Sequence, residues 1–155
     1  MGLKETIGLI ASGVGFIDTL LILPDSFSHQ GATCGEPEYF MGYLIDCGSV
    51  TTSEYSRILG IPITIFGFLF YVTIFAILMK TDVIKTENLD IYSKIVVAGS
   101  SVAFLVSMVL VYLQFFVLEL ICKYCMLSAA SSTTLFLAFG IPFLVNFVQN
   151  MNTTQ

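Results

Sequence analysis

Charged side chains are scarce in this sequence. Only 11% of its 155 residues are Asp, Glu, Lys or Arg, whereas 56% are hydrophobic and the mean hydropathy is +0.91. A soluble domain carries about 25% charged residues, so this chain cannot cover a surface that faces water. The few charges are clustered between long uncharged segments, which is the pattern of an integral membrane protein.

Other features are rare or missing, and each excludes a class of function. Six Lys and Arg residues against eleven acidic residues form no basic run, so nucleic acid is not an expected partner. The sequence has neither a glycine-rich dinucleotide fingerprint nor the Cys-x-x-Cys-His motif that attaches haem. The single histidine, His29, is interpreted as a solvated loop residue rather than as a ligand or base.

Four apolar segments predict the fold. They cover approximately residues 6–23, 61–79, 95–118 and 122–148, and each is close to or above the ~20 residues that span a bilayer. The sequence therefore predicts one all-α domain over residues 1–155, a bundle of four transmembrane helices with no attached soluble domain. The first segment is interpreted as a helix rather than a signal peptide, because no small-x-small cleavage site follows it and Pro24-Asp25 ends it abruptly.

Small residues recur at helical spacing on two of these segments: Gly8, Ser12 and Gly15 on the first, and Gly99, Ala103 and Ser107 on the third. Such faces let transmembrane helices approach closely, so both are predicted to pack against neighbouring helices. Asp18 is the one charge inside the first segment. A position at the outer membrane interface is favoured for it, and a functional position facing the bundle interior is the alternative. Pro142 is a candidate kink in the fourth segment.

The first loop, from Pro24 to Arg57, contains its own local signals. Thr51-Thr52-Ser53 followed by Glu54 resembles the capped start of a helix, which predicts a short surface helix over about Ser53–Leu59. Residues 39–45 form an apolar patch too short to span a bilayer. This patch is expected to lie on the membrane surface or to cap a pocket.

The distribution of basic residues predicts the orientation. With the N-terminus inside, the cytoplasmic segments carry Lys4, Lys80, Lys85 and Lys94, and the outer segments carry only Arg57 and Lys123. The positive-inside rule therefore favours a cell-membrane protein with both termini in the cytoplasm. Four spans also place all four cysteines on one side, here the extracytoplasmic and oxidising side.

The four cysteines carry the chemistry. Cys122 and Cys125 form a Cys-x-x-Cys pair at the start of the last segment, where the helix N-terminus and Lys123 favour a thiolate on Cys122. A disulfide that closes a two-residue loop is a poor brace, so this pair is predicted to be redox-active. Cys34 and Cys47 lie in the first loop, where they form either a bracing disulfide or the entry point for electrons from a soluble dithiol partner.

The same residues indicate the electron acceptor and the alternatives to a redox function. A quinone dissolved in the bilayer is the simplest electron acceptor, since it needs an apolar slot and one or two hydrogen-bond donors. Zinc bound by four thiolates is disfavoured because Cys34 and Cys47 lack the short spacing of a ligand pair, so no metal is expected. The alternative class is a small structural or zinc-binding protein with four spans, whose disulfides brace the loop.

The sequence resembles the prokaryotic homologues of the vitamin K epoxide reductase family. The resemblance rests on Cys47, Ser53, Tyr55-Ser-Arg-Ile-Leu-Gly60-Ile-Pro62, Phe66-Gly67, Tyr71 and Cys122-Lys-Tyr-Cys125-Met-Leu-Ser-Ala. It implies a membrane oxidoreductase, functionally like DsbB, that generates disulfides and reduces a quinone of the ubiquinone or menaquinone type. It also implies a separate thioredoxin-like (DsbA-like) partner. The sequence does not set the direction of electron flow, so a quinone-linked reductase or isomerase running in the opposite sense is a further alternative.

The resemblance also implies roles for individual residues. Cys34 and Cys47 correspond to a shuttle pair, and a reduced shuttle thiol attacks Cys122. Cys125 corresponds to the cysteine next to the quinone. The hydroxyl of Ser53 corresponds to a serine that helps to bind or orient the quinone, although Ser53 also suits a plain helix cap.

Two departures from the family pattern have consequences. The spacing between Cys34 and Cys47 is longer than is usual for the family, which bears on the loop shape and on which cysteine faces the partner. Ile63 and Ala129 occupy the places of the hydrogen-bonding Asn and Tyr of the animal enzymes. Vitamin K epoxide is therefore not the expected natural substrate.

Overall fold

Four long apolar helices dominate the architecture. The computed structural model describes residues 2–27, 35, 38–40, 42–83 and 89–153. Four helical segments in these ranges are long and apolar enough to cross a membrane, namely Leu3–Ile22, Ile63–Lys80, Ile91–Leu118 and Lys123–Asn146. The predicted all-α bundle with four spans is confirmed, and the chain is a multi-pass membrane protein.

The elements run in the following order. The helices are α1 (Leu3–Ile22), α2 (Cys47–Thr52), α3 (Ile63–Val83), α4 (Leu89–Leu113), α5 (Lys123–Leu135) and α6 (Ile141–Thr153). The strands are β1 (Glu38–Phe40), β2 (Tyr43–Ile45), β3 (Arg57–Ile58), β4 (Ile61–Pro62) and β5 (Leu120–Ile121). Short 3₁₀ turns cover Pro24–Ser26 and Glu54–Ser56, and π-helical turns cover Gln114–Leu118 and Phe136–Gly140.

The small-residue face of α1 packs against α3 and α5, as predicted. Gly8, Ser12 and Gly15 are all buried on this face. Tyr71 of α3 lies directly over Gly15 and is only 2% exposed. Its ring cannot move aside freely, because its hydroxyl donates a hydrogen bond to the Ser128 carbonyl oxygen on α5 at 2.7 Å. Glycine at position 15 therefore permits the close approach of three helices.

Replacing Gly15 by alanine is expected to destabilise the bundle by about 1–3 kcal/mol, the usual range for overpacking. The new methyl group would lie 2.6 Å from Tyr71 Cδ1, which is too close for two carbon atoms. Gly13→Ala on the same helix is the matched control, since its methyl group would lie at an ordinary 3.5 Å from Phe75 Cε2. Detergent-solubilised variants compared by thermal unfolding test this difference, and equal midpoints would contradict it.

The small-residue face of α4 behaves differently from the prediction. Gly99, Ala103 and Ser107 all line a cavity rather than a continuous helix–helix seam. This face of α4 still touches its neighbours at two positions. The Phe70 ring of α3 lies so near Gly99 that an added methyl group would be 3.2 Å from it, and Ser107 Oγ lies 2.8 Å from Ser132 Oγ of α5. The small side chains on this face of α4 therefore border a cavity instead of closing a helix–helix interface.

The short helix of the first loop lies earlier than the sequence predicted. Asp46 caps α2: its Oδ1 accepts a hydrogen bond from the Ser49 N–H at 3.0 Å, and its Oδ2 accepts one from the Ser49 hydroxyl at 2.6 Å. The hydroxyl bond from Ser49 is the main cause that lowers the pKa of Asp46 below its ordinary value. The predicted helix over Ser53–Leu59 is wrong, because the better cap at Asp46 starts the helix at Cys47 and Ser53 ends it.

The start of α3 and the course of the fourth span are also set locally. Arg57 and Ile58 pair with Pro62 and Ile61, so α3 begins at Ile63 rather than at Ile61.

Pro142 in the fourth span has no N–H to continue an α-helical ladder. The π-helical turn Phe136–Gly140 ends two residues before Pro142, and the span continues through Pro142 to Asn146.

Candidate active site

The Cys-x-x-Cys pair lies at the N-terminus of α5. Cys122 and Cys125 are joined by a disulfide, with their Cα atoms 5.2 Å apart. Cys122 caps the helix, since its sulfur accepts a hydrogen bond from the Cys125 N–H at 3.1 Å. The predicted position of the pair at a helix N-terminus is thus confirmed, and a helix N-terminus stabilises negative charge. Lys123 forms an exposed ion pair with Glu38, Nζ to Oε2 at 3.5 Å.

A small sheet connects the first loop to this pair. The apolar patch at residues 39–45 contributes β1 and β2, which pair in antiparallel fashion, with Tyr39 opposite Leu44. Strand β2 in turn pairs in parallel with β5, so that Ile45 lies beside Ile121. One residue further on, the Asp46 N–H donates to the Ile121 carbonyl oxygen at 3.1 Å. The cysteines that follow these two strands, Cys47 and Cys122, are therefore held close together.

Cys47 and Cys122 share one buried cluster. Both are 0% exposed, and they pack with Ile22 of α1 and Val50 of α2. Cys47, like Cys122 and Cys125, is disulfide-bonded. The remaining cysteine of the predicted shuttle pair, Cys34, lies outside the described residues, as does His29.

Gln114 was not recognised from the sequence. Its side chain is 2% exposed, and its Oε1 accepts a hydrogen bond from the Cys122 N–H at 3.0 Å. It begins the π-helical turn that closes α4, which directs the chain into β5. The available signal was its position: Gln114 is a lone amide inside an apolar span, and polar groups inside a membrane are functional candidates.

A cavity of about 620 Å³ lies between the four spans, within the ~300–1,000 Å³ that is usual for small-molecule sites. Its wall is almost entirely apolar, with Ile63, Phe66 and Phe70 from α3 and Val102, Val106 and Leu110 from α4 among the lining residues. Cys125 reaches the cavity from α5. Phe66 and Val102 are also exposed, by 45% and 62%, so the cavity is continuous with the lipid-facing surface between α3 and α4.

Few polar groups face this cavity. The Tyr71 hydroxyl, which donates to the Ser128 carbonyl oxygen, also lies 3.1 Å from Ser128 Oγ. Asp18 lines the cavity from α1 and is only 2% exposed. The favoured placement of Asp18 at the membrane interface is wrong, because the carboxyl faces the bundle interior, the alternative that the sequence left open.

Ser53 occupies a different position. Its hydroxyl donates to the Val50 carbonyl oxygen at 2.8 Å and lies 3.0 Å from Ser56 Oγ. Ser53 is not among the residues that line the large cavity, whereas Ser56 lines a small neighbouring cavity of about 40 Å³ that also borders Cys125. Ser53 therefore borders neither of these two cavities, and its hydrogen-bond neighbour Ser56 borders the smaller one.

Within the described ranges, the side chains near the cysteines do not resemble a metal centre. No group of three or more His, Cys, Asp or Glu side chains there is arranged to hold a metal ion. The two sulfurs of Cys122 and Cys125 are bonded to each other instead. The arrangement suits disulfide exchange beside an apolar pocket.

Comparison with known proteins gives one clear result. A family model described as the vitamin K epoxide reductase family matches residues 3–139, which extends from the first span into the fourth and includes Cys47, Cys122 and Cys125. A comparison with curated individual proteins finds no match.

Proposed function

Because this chain belongs to the vitamin K epoxide reductase family, and is thereby a membrane thiol oxidoreductase, we propose that it generates disulfides in a separate thioredoxin-like protein. Electrons pass from that partner through Cys34 and Cys47 to Cys122 and Cys125, and then to a membrane quinone. One observation carries the proposal. Cys122 belongs to the buried cluster with Cys47, and Cys125, which packs against that cluster, also lines the apolar cavity.

The chemistry follows from that arrangement. The partner's dithiol reduces the shuttle disulfide and is itself oxidised. The Cys47 thiolate then attacks Cys122 Sγ, and the sulfur–sulfur bond to Cys125 breaks, so that Cys125 leaves as a thiolate at the cavity. Cys34 next attacks Cys47 Sγ, which re-forms the shuttle disulfide and releases Cys122, so that the pair now holds the two electrons and the two protons of the partner's dithiol. The N-terminus of α5 stabilises the sulfur charge during this exchange.

The cavity fits the acceptor in size and polarity. A quinone supplies a two-electron, two-proton sink when it is bound there. The apolar side chains of α3 and α4 would enclose its ring and isoprenoid chain, and the opening to the lipid-facing surface would admit it from the bilayer. Tyr71 and Ser128 place hydroxyl groups on the wall. Neither ubiquinone nor menaquinone is favoured by these residues.

The positions of the cysteines suggest separate roles for Cys34 and Cys47. Cys47 is fully buried beside Cys122, so it is the proposed attacking residue within the bundle. Cys34 would then meet the partner, and the loop that carries it would move between the two tasks. The basic-residue distribution supports an orientation with both termini in the cytoplasm and this site on the extracytoplasmic side.

A quinone-reduction assay tests the proposal. Purified protein is mixed with a reduced thioredoxin-like protein and a soluble ubiquinone or menaquinone analogue, and quinone absorbance is followed. We expect turnover by the wild type and its loss in Cys125→Ala, which removes the sulfur at the cavity. No turnover with any quinone, together with disulfides that resist mild reductant, would favour a structural protein with bracing disulfides instead.

A further inference from the structure

Among the described residues, Asp18 has no hydrogen-bond partner that explains its burial. It lies on α1 with 2% of its surface exposed, and neither carboxyl oxygen has a hydrogen-bond partner within the described part of the chain. Buried polar groups are nearly always paired, so an unpaired buried carboxyl calls for a reason other than packing. Both Asp18 and Cys125 line the large cavity.

The surroundings of Asp18 favour a carboxyl group that holds a proton. Among the described residues that line the cavity there is no Lys, Arg or His, and the other titratable groups are Tyr71 of α3 and Tyr124 and Cys125 of α5. An ionised carboxylate in such apolar surroundings is strongly unfavourable without a cation or hydrogen-bond donors. A carboxylic acid, in contrast, has a proton available for whatever occupies the cavity.

We propose that Asp18 is the proton donor of the quinone site, giving its carboxyl proton to a quinone oxygen as Cys122 and Cys125 return to the disulfide. This inference rests on the proposed function. The atoms balance within one turnover: two thiol groups become one disulfide and release two electrons and two protons, and the quinone takes up all four to become the quinol. One of the protons passes through Asp18, which regains it from the thiol that is deprotonated as the disulfide closes.

Tyr71 is less suited to this role. Its hydroxyl proton is already engaged with the Ser128 carbonyl oxygen at 2.7 Å. Giving up that proton would break this hydrogen bond, which links α3 to α5 across the bundle. Asp18 has no such bond among the described residues. A carboxyl is also a far stronger acid than a phenol.

Asp18→Asn is the central variant, because the amide keeps the shape and polarity of the side chain but cannot act as an acid. We expect quinone reduction to slow by about a hundredfold, the lower end of the range for loss of a general acid. Exchange between the reduced partner and the Cys122–Cys125 disulfide, followed by thiol alkylation without quinone, should keep its wild-type rate. Asp18→Glu should recover part of the lost rate.

The pH profile separates proton donation from a structural role. Wild-type quinone reduction should fall at alkaline pH as Asp18 loses its proton, while Asp18→Asn should lack this fall. Infrared difference spectra provide a readout without turnover. The wild type should show a protonated-carboxyl band that responds when a quinone analogue binds, and Asp18→Asn should lack that band.

The outcomes distinguish this inference from the function on which it rests. Cysteine-dependent quinone reduction with an unchanged rate in Asp18→Asn would overturn the role of Asp18 and leave the proposed function intact. Equal slowing of thiol exchange and quinone reduction would also overturn it, because that pattern indicates altered structure. If Asp18→Asn does not fold, absence of the infrared band in the wild type would likewise overturn the role of Asp18. No turnover by the wild type would overturn both proposals.

Discussion

Replacing Cys47 by serine is expected to lower partner-driven quinone reduction by about a thousandfold or more, as loss of an attacking group does in other enzymes. Cys47 is the only cysteine of the first loop within the described residues, and it packs in the same buried cluster as Cys122. Because Cys122 is 0% exposed, a protein dithiol has no direct route to its sulfur. The electrons must therefore enter through a thiolate that is already inside the bundle.

Two measurements check this expectation. Quinone absorbance reports turnover, and alkylation with mass spectrometry reports whether Cys122 and Cys125 stay oxidised after the reduced partner is added. Ser49→Ala is the matched control, since Ser49 lies exposed on the same helix and its backbone N–H still caps that helix through Asp46. The control should retain turnover within a few fold. Reduction of the Cys122–Cys125 disulfide by the partner in Cys47→Ser would contradict the proposed route.

Filling the cavity should stop quinone reduction without stopping thiol exchange. Ala103 lies on the cavity wall of α4, and tryptophan there would occupy much of the space beside Val102 and Val106. Misplacement of a reacting group by about 1 Å costs roughly a hundredfold in rate, so we expect at least about that loss for Ala103→Trp. Exchange at Cys122 should continue, because neither Cys47 nor Cys122 is among the residues that line the cavity.

Leu105→Trp provides the comparison. Leu105 is two residues away on the same helix, is 63% exposed and is not among the cavity-lining residues. The same large side chain added there faces lipid, so turnover should stay close to that of the wild type. Turnover by Ala103→Trp equal to that of Leu105→Trp would show that the cavity is not the acceptor site.

Hydropathy and helical periodicity were sufficient to predict the bundle. The four spans lie within a few residues of their predicted positions, since a run of about 20 apolar residues has few alternatives to a transmembrane helix. The buried face of α1 also followed from the spacing of Gly8, Ser12 and Gly15. The same pattern on α4 was misleading, because small residues border a cavity as readily as they border another helix.

The parts of the site that depend on distant pairing did not follow from the sequence. Strands β2 and β5 contribute only two paired residues each, and more than seventy residues separate Ile45 from Ile121. Strands this short leave no periodic signal. The sequence indicated a helix start at Thr51-Thr52-Ser53, but the helix begins after Asp46, whose carboxylate accepts two hydrogen bonds from Ser49. The inward direction of Asp18 depends on how α1 is rotated in the bundle, which one isolated charge does not reveal.

The central claim is that Cys122 receives electrons from Cys47 while Cys125 passes them on at the cavity, and disulfide formation in two-cysteine variants tests it most directly. One variant, Cys34→Ser/Cys125→Ser, keeps only Cys47 and Cys122. Its matched partner, Cys34→Ser/Cys122→Ser, keeps only Cys47 and Cys125. Both are reduced, exposed to a mild oxidant and analysed by mass spectrometry. Rapid formation of Cys47–Cys122 with little Cys47–Cys125 is the predicted result, whereas equal or faster formation of Cys47–Cys125 would contradict the claim.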